Sequence, residues 1–118
     1  SVIVILATDL PLSERQLGRV ARRAAVGLAR TGSYTGNGSG EITLAFTTAN
    51  TVPHESNENF RNLVILQESQ VDKAFRAAAE ATEEAVLNSL TAAEKTIGRD
   101  GHTRLSFAAQ LEKTFLPT

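Results

Sequence analysis

The chain has 118 residues, 42% of them hydrophobic, which fits one domain (residues 1–118) with enough apolar material for a packed core. Twelve basic and thirteen acidic residues leave a net charge of −1, so the basic footprint of nucleic-acid binding is missing. No apolar run reaches the roughly 18 residues of a membrane span.

The absence of cysteine excludes disulfides and thiolate metal sites and leaves the compartment open. A soluble protein is expected, with the choice between bacterial periplasm and cytoplasm left unknown. Five Phe and one Tyr are the only aromatic residues. With so few large side chains, part of the core is expected to come from another chain.

Ser1 stands where an initiator Met would, and the expectation is that cleavage exposed it. Val2-Ile3-Val4-Ile5-Leu6 is an unbroken aliphatic and β-branched run, the pattern of a strand buried on both faces. Ser13 with Gln16 three residues on forms a capping-box signature. Leu17, Val20, Ala21, Ala24, Ala25 and Leu28 then mark one face of a single helix. Thr31-Gly32 ends it, Gly supplying the left-handed C′ position.

Residues 32–40 hold four glycines, Gly32, Gly36, Gly38 and Gly40, and predict an irregular loop. From Glu41 to Thr48 the pattern alternates, with Ile42, Leu44 and Phe46 on one face and Glu41, Thr43, Ala45 and Thr47 on the other. Residues 49–62 are polar and predict an exposed loop. Residues 63–66 fit either a short strand or cover for the next helix. That helix is predicted from about Gln70 to Ile97, with a possible break at Leu90-Thr91 and Gly98 as terminator. Asp100-Gly101 signals a turn, followed by a short extended piece and a C-terminal segment ending Leu116-Pro117-Thr118. The order strand, helix, strand, long helix indicates an α/β sandwich.

Chemistry centres first on Ser1. An N-terminal Ser carries a hydroxyl and a primary amine on one residue, and the amine can accept the hydroxyl's proton. Ser39 and Glu41 stand two apart at the start of the second strand, where side chains at i and i+2 share a face. A Ser between a carboxylate and an N-terminal Ser could relay a proton or orient the amine; alone, the pair also fits a solvated loop. The glycine loop fails as a phosphate cradle, because it opens a strand rather than a helix and has no Lys. His54 and His102 are the only histidines, in separate polar segments without a third ligand. No metal or cofactor is expected. Arg19, Arg22 and Arg23, like Glu80, Glu83 and Glu84, read as solvated helix faces.

Several segments resemble the β-subunit of the L-aminopeptidase/D-alanine-esterase and β-aminopeptidase family. They are Ser1 with its apolar strand, Ala7-Thr8-Asp9-Leu10-Pro11-Leu12, Arg22-Arg23-Ala24-Ala25, Gly27-Leu28-Ala29-Arg30-Thr31-Gly32, Gly38-Ser39-Gly40-Glu41 and Ala81-Thr82-Glu83-Glu84-Ala85-Val86-Leu87-Asn88. The resemblance implies an αββα sandwich like that of N-terminal-nucleophile hydrolases, completed by a separate α chain from the same precursor. It further implies self-cleavage at a Gly–Ser bond, an (αβ)4 assembly, and Ser1, Ser39 and Glu41 as catalytic residues.

The oxyanion Asn and the carboxylate that holds the substrate's amino group would lie on the α chain. The implied activity is release of an N-terminal residue from a small peptide, amide or ester by acyl transfer to Ser1. The residue could be a β-amino acid, a small L-amino acid or a D-amino acid. Two alternatives stay open: a non-catalytic processed subunit, and an N-terminal-nucleophile acyltransferase, which would ordinarily begin with Thr.

Overall fold

A computed structural model describes residues 1–38 and 40–115. Ser39 and the terminal Leu116-Pro117-Thr118 lie outside the described residues. Contacts group the chain into two compact units, Ser1–Glu83 and Glu84–Thr118.

The first unit is built on two parallel strands, β1 (Val2–Thr8) and β2 (Glu41–Thr47), paired in register from Val2↔Glu41 to Thr8↔Thr47. Parallel strands need a crossover. Helices α1 (Glu14–Ala21) and α2 (Ala24–Arg30) provide it. Among the described residues, these helices and the later helix α3 (Val71–Ala92) cover only one face of the strand pair. Val2, Val4, Leu6 and Thr8 are half-buried there with Glu41, Thr43, Ala45 and Thr47. The opposite face is bare: Ile3 is 71% exposed and Ile5 62%, beside exposed Ile42, Leu44 and Phe46. Among the described residues, the first strand is therefore covered on one face and not on both. The helix-facing side of β2 is its small and polar side, and Thr43 and Ala45 line open clefts with Gly18 and Ala21 of α1.

The capping box at Ser13 forms as the sequence predicts. Gln16 N–H donates to Ser13 Oγ at 3.3 Å, and Ser13 N–H donates to Gln16 Oε1 at 3.0 Å. The single helix predicted from there to Leu28 is instead two. Arg23 N–H donates to Val20 O at 2.9 Å, while its guanidinium takes the Arg19 carbonyl at 3.1 Å and stacks 3.8 Å over the Phe75 ring. The helical ladder shifts to a tighter turn at that point, yet Val20, Ala24 and Leu28 all stay buried, so apolar spacing runs through the break. Arg19 likewise lies 5.0 Å over Phe75. Two of the three arginines thus pack rather than simply facing water. At the end of α2, Gly32 adopts φ +99°, the left-handed position expected of it.

Residues 63–66 form no strand. Leu66 N–H donates to Pro11 O at 2.7 Å, and its side chain packs on the core of Leu12, Val20, Ala74 and Ala78. A 3-10 turn, Glu68–Gln70, leads into α3 (Val71–Ala92). Gln16, 1% exposed, ties this turn to α1, donating to Leu66 O at 2.9 Å and to Glu68 at 3.0 Å. Glu68 also pairs with Arg15 and, at 2.6 Å, with Arg19. Among the described residues only Leu12, Val20, Leu28 and Val71 are buried aliphatic side chains larger than Ala. This is a thin core, as the composition foreshadows.

In the second unit, α3 stops at Ala92 rather than reaching Ile97. Thr91 Oγ1 donates to the Leu87 and Asn88 carbonyls near that end. Ile97 belongs to a hairpin, β3 (Thr96–Ile97) with β4 (Thr103–Arg104). Asp100 (φ 56°) and Gly101 (φ 76°) make the turn their sequence signals. Gly98 N–H closes the loop onto His102 O at 2.7 Å instead of ending a helix. Helix α4 (Phe107–Phe115) follows.

Candidate active site

Parallel pairing brings the starts of β1 and β2 side by side. Val2 N–H donates to Gly40 O at 3.2 Å, so Ser1 and Gly40 are neighbours across the first rung. A cleft of about 440 Å³ opens there, lined by Ser1, Val2 and Glu41 and walled by Leu28 and residues of the 32–40 loop. Ser1 is exposed and Glu41 half-buried. Two of the three residues singled out by the sequence therefore share one cleft. Ser39, the third, lies outside the described residues, between cleft-lining Gly38 and Gly40.

The shared-face argument for Ser39 and Glu41 assumed an extended chain through Gly40. Gly40 has φ +64°, a left-handed turn that L-residues rarely adopt, so strand alternation starts only at Glu41. Described residues of the 32–40 loop form one wall of the cleft. Tyr34, Ser33 and Thr35 were missed as cleft residues, because their place beside Ser1 comes from the fold and not from the local sequence.

A more enclosed cavity, about 140 Å³, lies under Leu6, Leu10 and Leu12 against Ala74 and Ala78 and has no titratable lining. His54 and His102 are exposed, and no group of three His, Cys, Asp or Glu among the described residues could hold a metal. Among the described residues no helix is long and apolar enough to cross a membrane. Glu80 is paired with Arg76 at 2.7 Å, and this hydrogen bond and charge hold its carboxyl below the usual value.

A parallel strand pair, helices on one face and a serine-lined cleft at the strand starts define an α/β chain of the N-terminal-nucleophile hydrolase type. Solved structures carry the same fold. One is a protein of Pyrococcus horikoshii OT3, 50% identical, with a TM-score of 0.85 over 92% of this chain and 30% of that one. Another is the L-aminopeptidase D-Ala-esterase/amidase of Ochrobactrum anthropi, described as a variant of the Ntn hydrolase fold. It is 38% identical, with a TM-score of 0.82 over 95% of this chain and 33% of that one.

A curated beta-peptidyl aminopeptidase, BapA, of Sphingosinicella microcystinivorans is 42% identical over 103 residues, 87% of this chain and 26% of the relative. Residues 1–104 match the model of peptidase family S58, and the chain belongs to that family. It spans about a quarter to a third of the length of these relatives.

Proposed function

We propose that the chain is the nucleophile-bearing portion of a serine aminopeptidase and acts by acyl transfer to Ser1. The observation that carries this is the meeting of Ser1 and Glu41 at one cleft in a family S58 chain.

In the proposed reaction, Ser1 Oγ attacks the first carbonyl carbon of an amino-terminal substrate, and the Ser1 α-amine takes the hydroxyl proton. Collapse of the tetrahedral adduct breaks the C–N bond, and the departing nitrogen takes that proton. Water, or another amine, then resolves the ester on Ser1. Glu41, with Ser39, orients or buffers the amine. Developing negative charge needs donors, each typically worth about 10²–10³ in rate, and some of these come from a partner chain.

The partner is the α chain of the same precursor, and four αβ units assemble. The bare face of Ile3, Ile5, Ile42, Leu44 and Phe46 supports this, since a parallel pair ordinarily has cover on both sides. Substrates are β-aminoacyl or small L-amino-acid amides and peptides, or D-amino-acid esters, in line with what the similar proteins are named for. Glu41 favours the β-aminopeptidase reading. Ser1→Ala in the precursor tests the proposal: it should yield one uncut, inactive polypeptide, because the same hydroxyl would cut the Gly–Ser bond and the substrate. Normal processing of that variant would overturn the assignment.

A further inference from the structure

The cleft beside Ser1 has an uneven lining. Gly32, Gly36, Gly38 and Gly40 contribute backbone alone, and Leu28 is buried beneath. Tyr34 is the one large, exposed side chain among the described lining residues, at 90% exposure. An exposed aromatic ring costs little conformational entropy to use in recognition and offers an apolar face with a polar tip.

The loop backbone around Tyr34 is also tied down. Ser33 N–H donates to Leu28 O of α2 at 3.3 Å, and Thr35 N–H donates to Ser33 Oγ at 3.4 Å across Tyr34. Thr35 sits at φ 54°, a left-handed conformation uncommon outside Gly and Asn, which turns the chain immediately after Tyr34. The ring then lies over Gly36. A Cβ there would stand 3.0 Å from Tyr34 Cε2 and 3.4 Å from Cζ. Gly36 is not in the left-handed region, so its lack of a side chain serves the ring rather than the backbone.

We propose that Tyr34 is a specificity-determining residue of the cleft, its ring receiving an apolar or aromatic substituent of the substrate beside the bond cut by Ser1. This rests on the proposed function of the same site. The contact chemistry is the same whether the substituent belongs to the acyl residue or to the leaving amine, and substrate series distinguish the two.

The experiment uses the intact, processed enzyme and its Tyr34→Ala, Tyr34→Leu and Gly36→Ala variants. One series holds the leaving group as ammonia and varies the acyl side chain from methyl to benzyl. The other holds an alanyl acyl group and varies the leaving amine from ammonia to an aniline. Tyr34→Ala should lower the ratio of kcat/KM for the large over the small substituent by about 3- to 10-fold in one series, mainly through KM. Gly36→Ala, which displaces the ring without removing it, should lower the same ratio in the same series. The responding series identifies the side of the bond that Tyr34 contacts.

Covalent labelling of Ser1 checks the nucleophile separately. Failure to label Ser1 in the active parent overturns the proposed function, and the Tyr34 assignment with it. Labelled, processed variants with unchanged ratios in both series overturn the Tyr34 assignment alone. If Tyr34→Ala is left uncut, Tyr34→Leu and Gly36→Ala decide by the same ratios.

Discussion

Gly27→Ala should destabilise the protein although it replaces the poorer helix former with the best one. Gly27 is buried in α2, where it faces α3. A Cβ at this position would lie 2.4 Å from Ala79 O, 2.7 Å from Thr82 Cβ and 3.0 Å from Glu83 N. Two of these atoms are backbone, so no side chain can simply rotate away, and α2 and α3 must part by about 1 Å to restore ordinary contact. Ala24, Leu28, Ala78 and Ala79 are all buried around this crossing and loosen together. Overpacking of this kind costs about 1–3 kcal/mol, occasionally more, beyond the roughly 1 kcal/mol gained in helix propensity.

Gly18, also within a helix, has nothing within 4 Å of its would-be Cβ, so Gly18→Ala should gain about 0.5–1 kcal/mol. Denaturant unfolding of both variants in the intact protein gives the two signs directly. Because α2 leads into Leu28 and Gly32 of the cleft wall, Gly27→Ala should also slow turnover. A Gly27→Ala protein as stable as its parent would refute the close approach of α2 to α3.

Gln16→Ala removes the capping box and the bonds to Leu66 and Glu68, and should cost about 2–4 kcal/mol in the same assay. At Glu68, desolvation pushes the carboxyl up, but the hydrogen bonds from Gln16 and Arg19 and the charge and bond of Arg15 together outweigh it, leaving it below the ordinary 4.5. A depressed folded value means stabilisation present above 4.5 and lost as pH falls through the folded value. Parent stability should therefore exceed that of Glu68→Gln at neutral pH and converge with it in acid; a constant gap down to pH 3 would contradict this. Ser39→Ala and Glu41→Gln should each lower kcat by about 10²–10⁴ with the fold intact if they serve proton transfer. A rise in KM alone for Glu41→Gln would instead mark it as an ammonium-binding group.

What the sequence made legible follows the range of each signal. The capping box, the Gly32 terminator and the Asp100-Gly101 turn are local hydrogen-bond and φ requirements, and all three form as expected. The break at Arg22-Arg23 was not legible, because the apolar spacing stays in phase across it; the contact of Arg23 there is with Phe75, 52 positions away. The end of α3 was overrun because Ile97 falls on the helical period, yet it pairs with Thr103 in a hairpin.

Alternation in β2 gave both faces correctly, yet not which face the chain's own helices cover. Here the small side, Thr43 and Ala45, faces α1, and the apolar side is left bare. At the site, Ser1 and Glu41 were singled out by their chemistry, and both line one cleft. Tyr34 was not, since nothing local marks a loop aromatic as part of a cleft until the strand starts come together.

The central claim is that Ser1 forms the acyl-enzyme. The most direct test is peptide mass analysis of the assembled, active protein after reaction with a serine-directed acylating inhibitor. The account predicts one adduct, on the peptide beginning at Ser1, appearing in proportion to the activity lost. Complete inactivation with Ser1 unmodified and the adduct on another residue would contradict it.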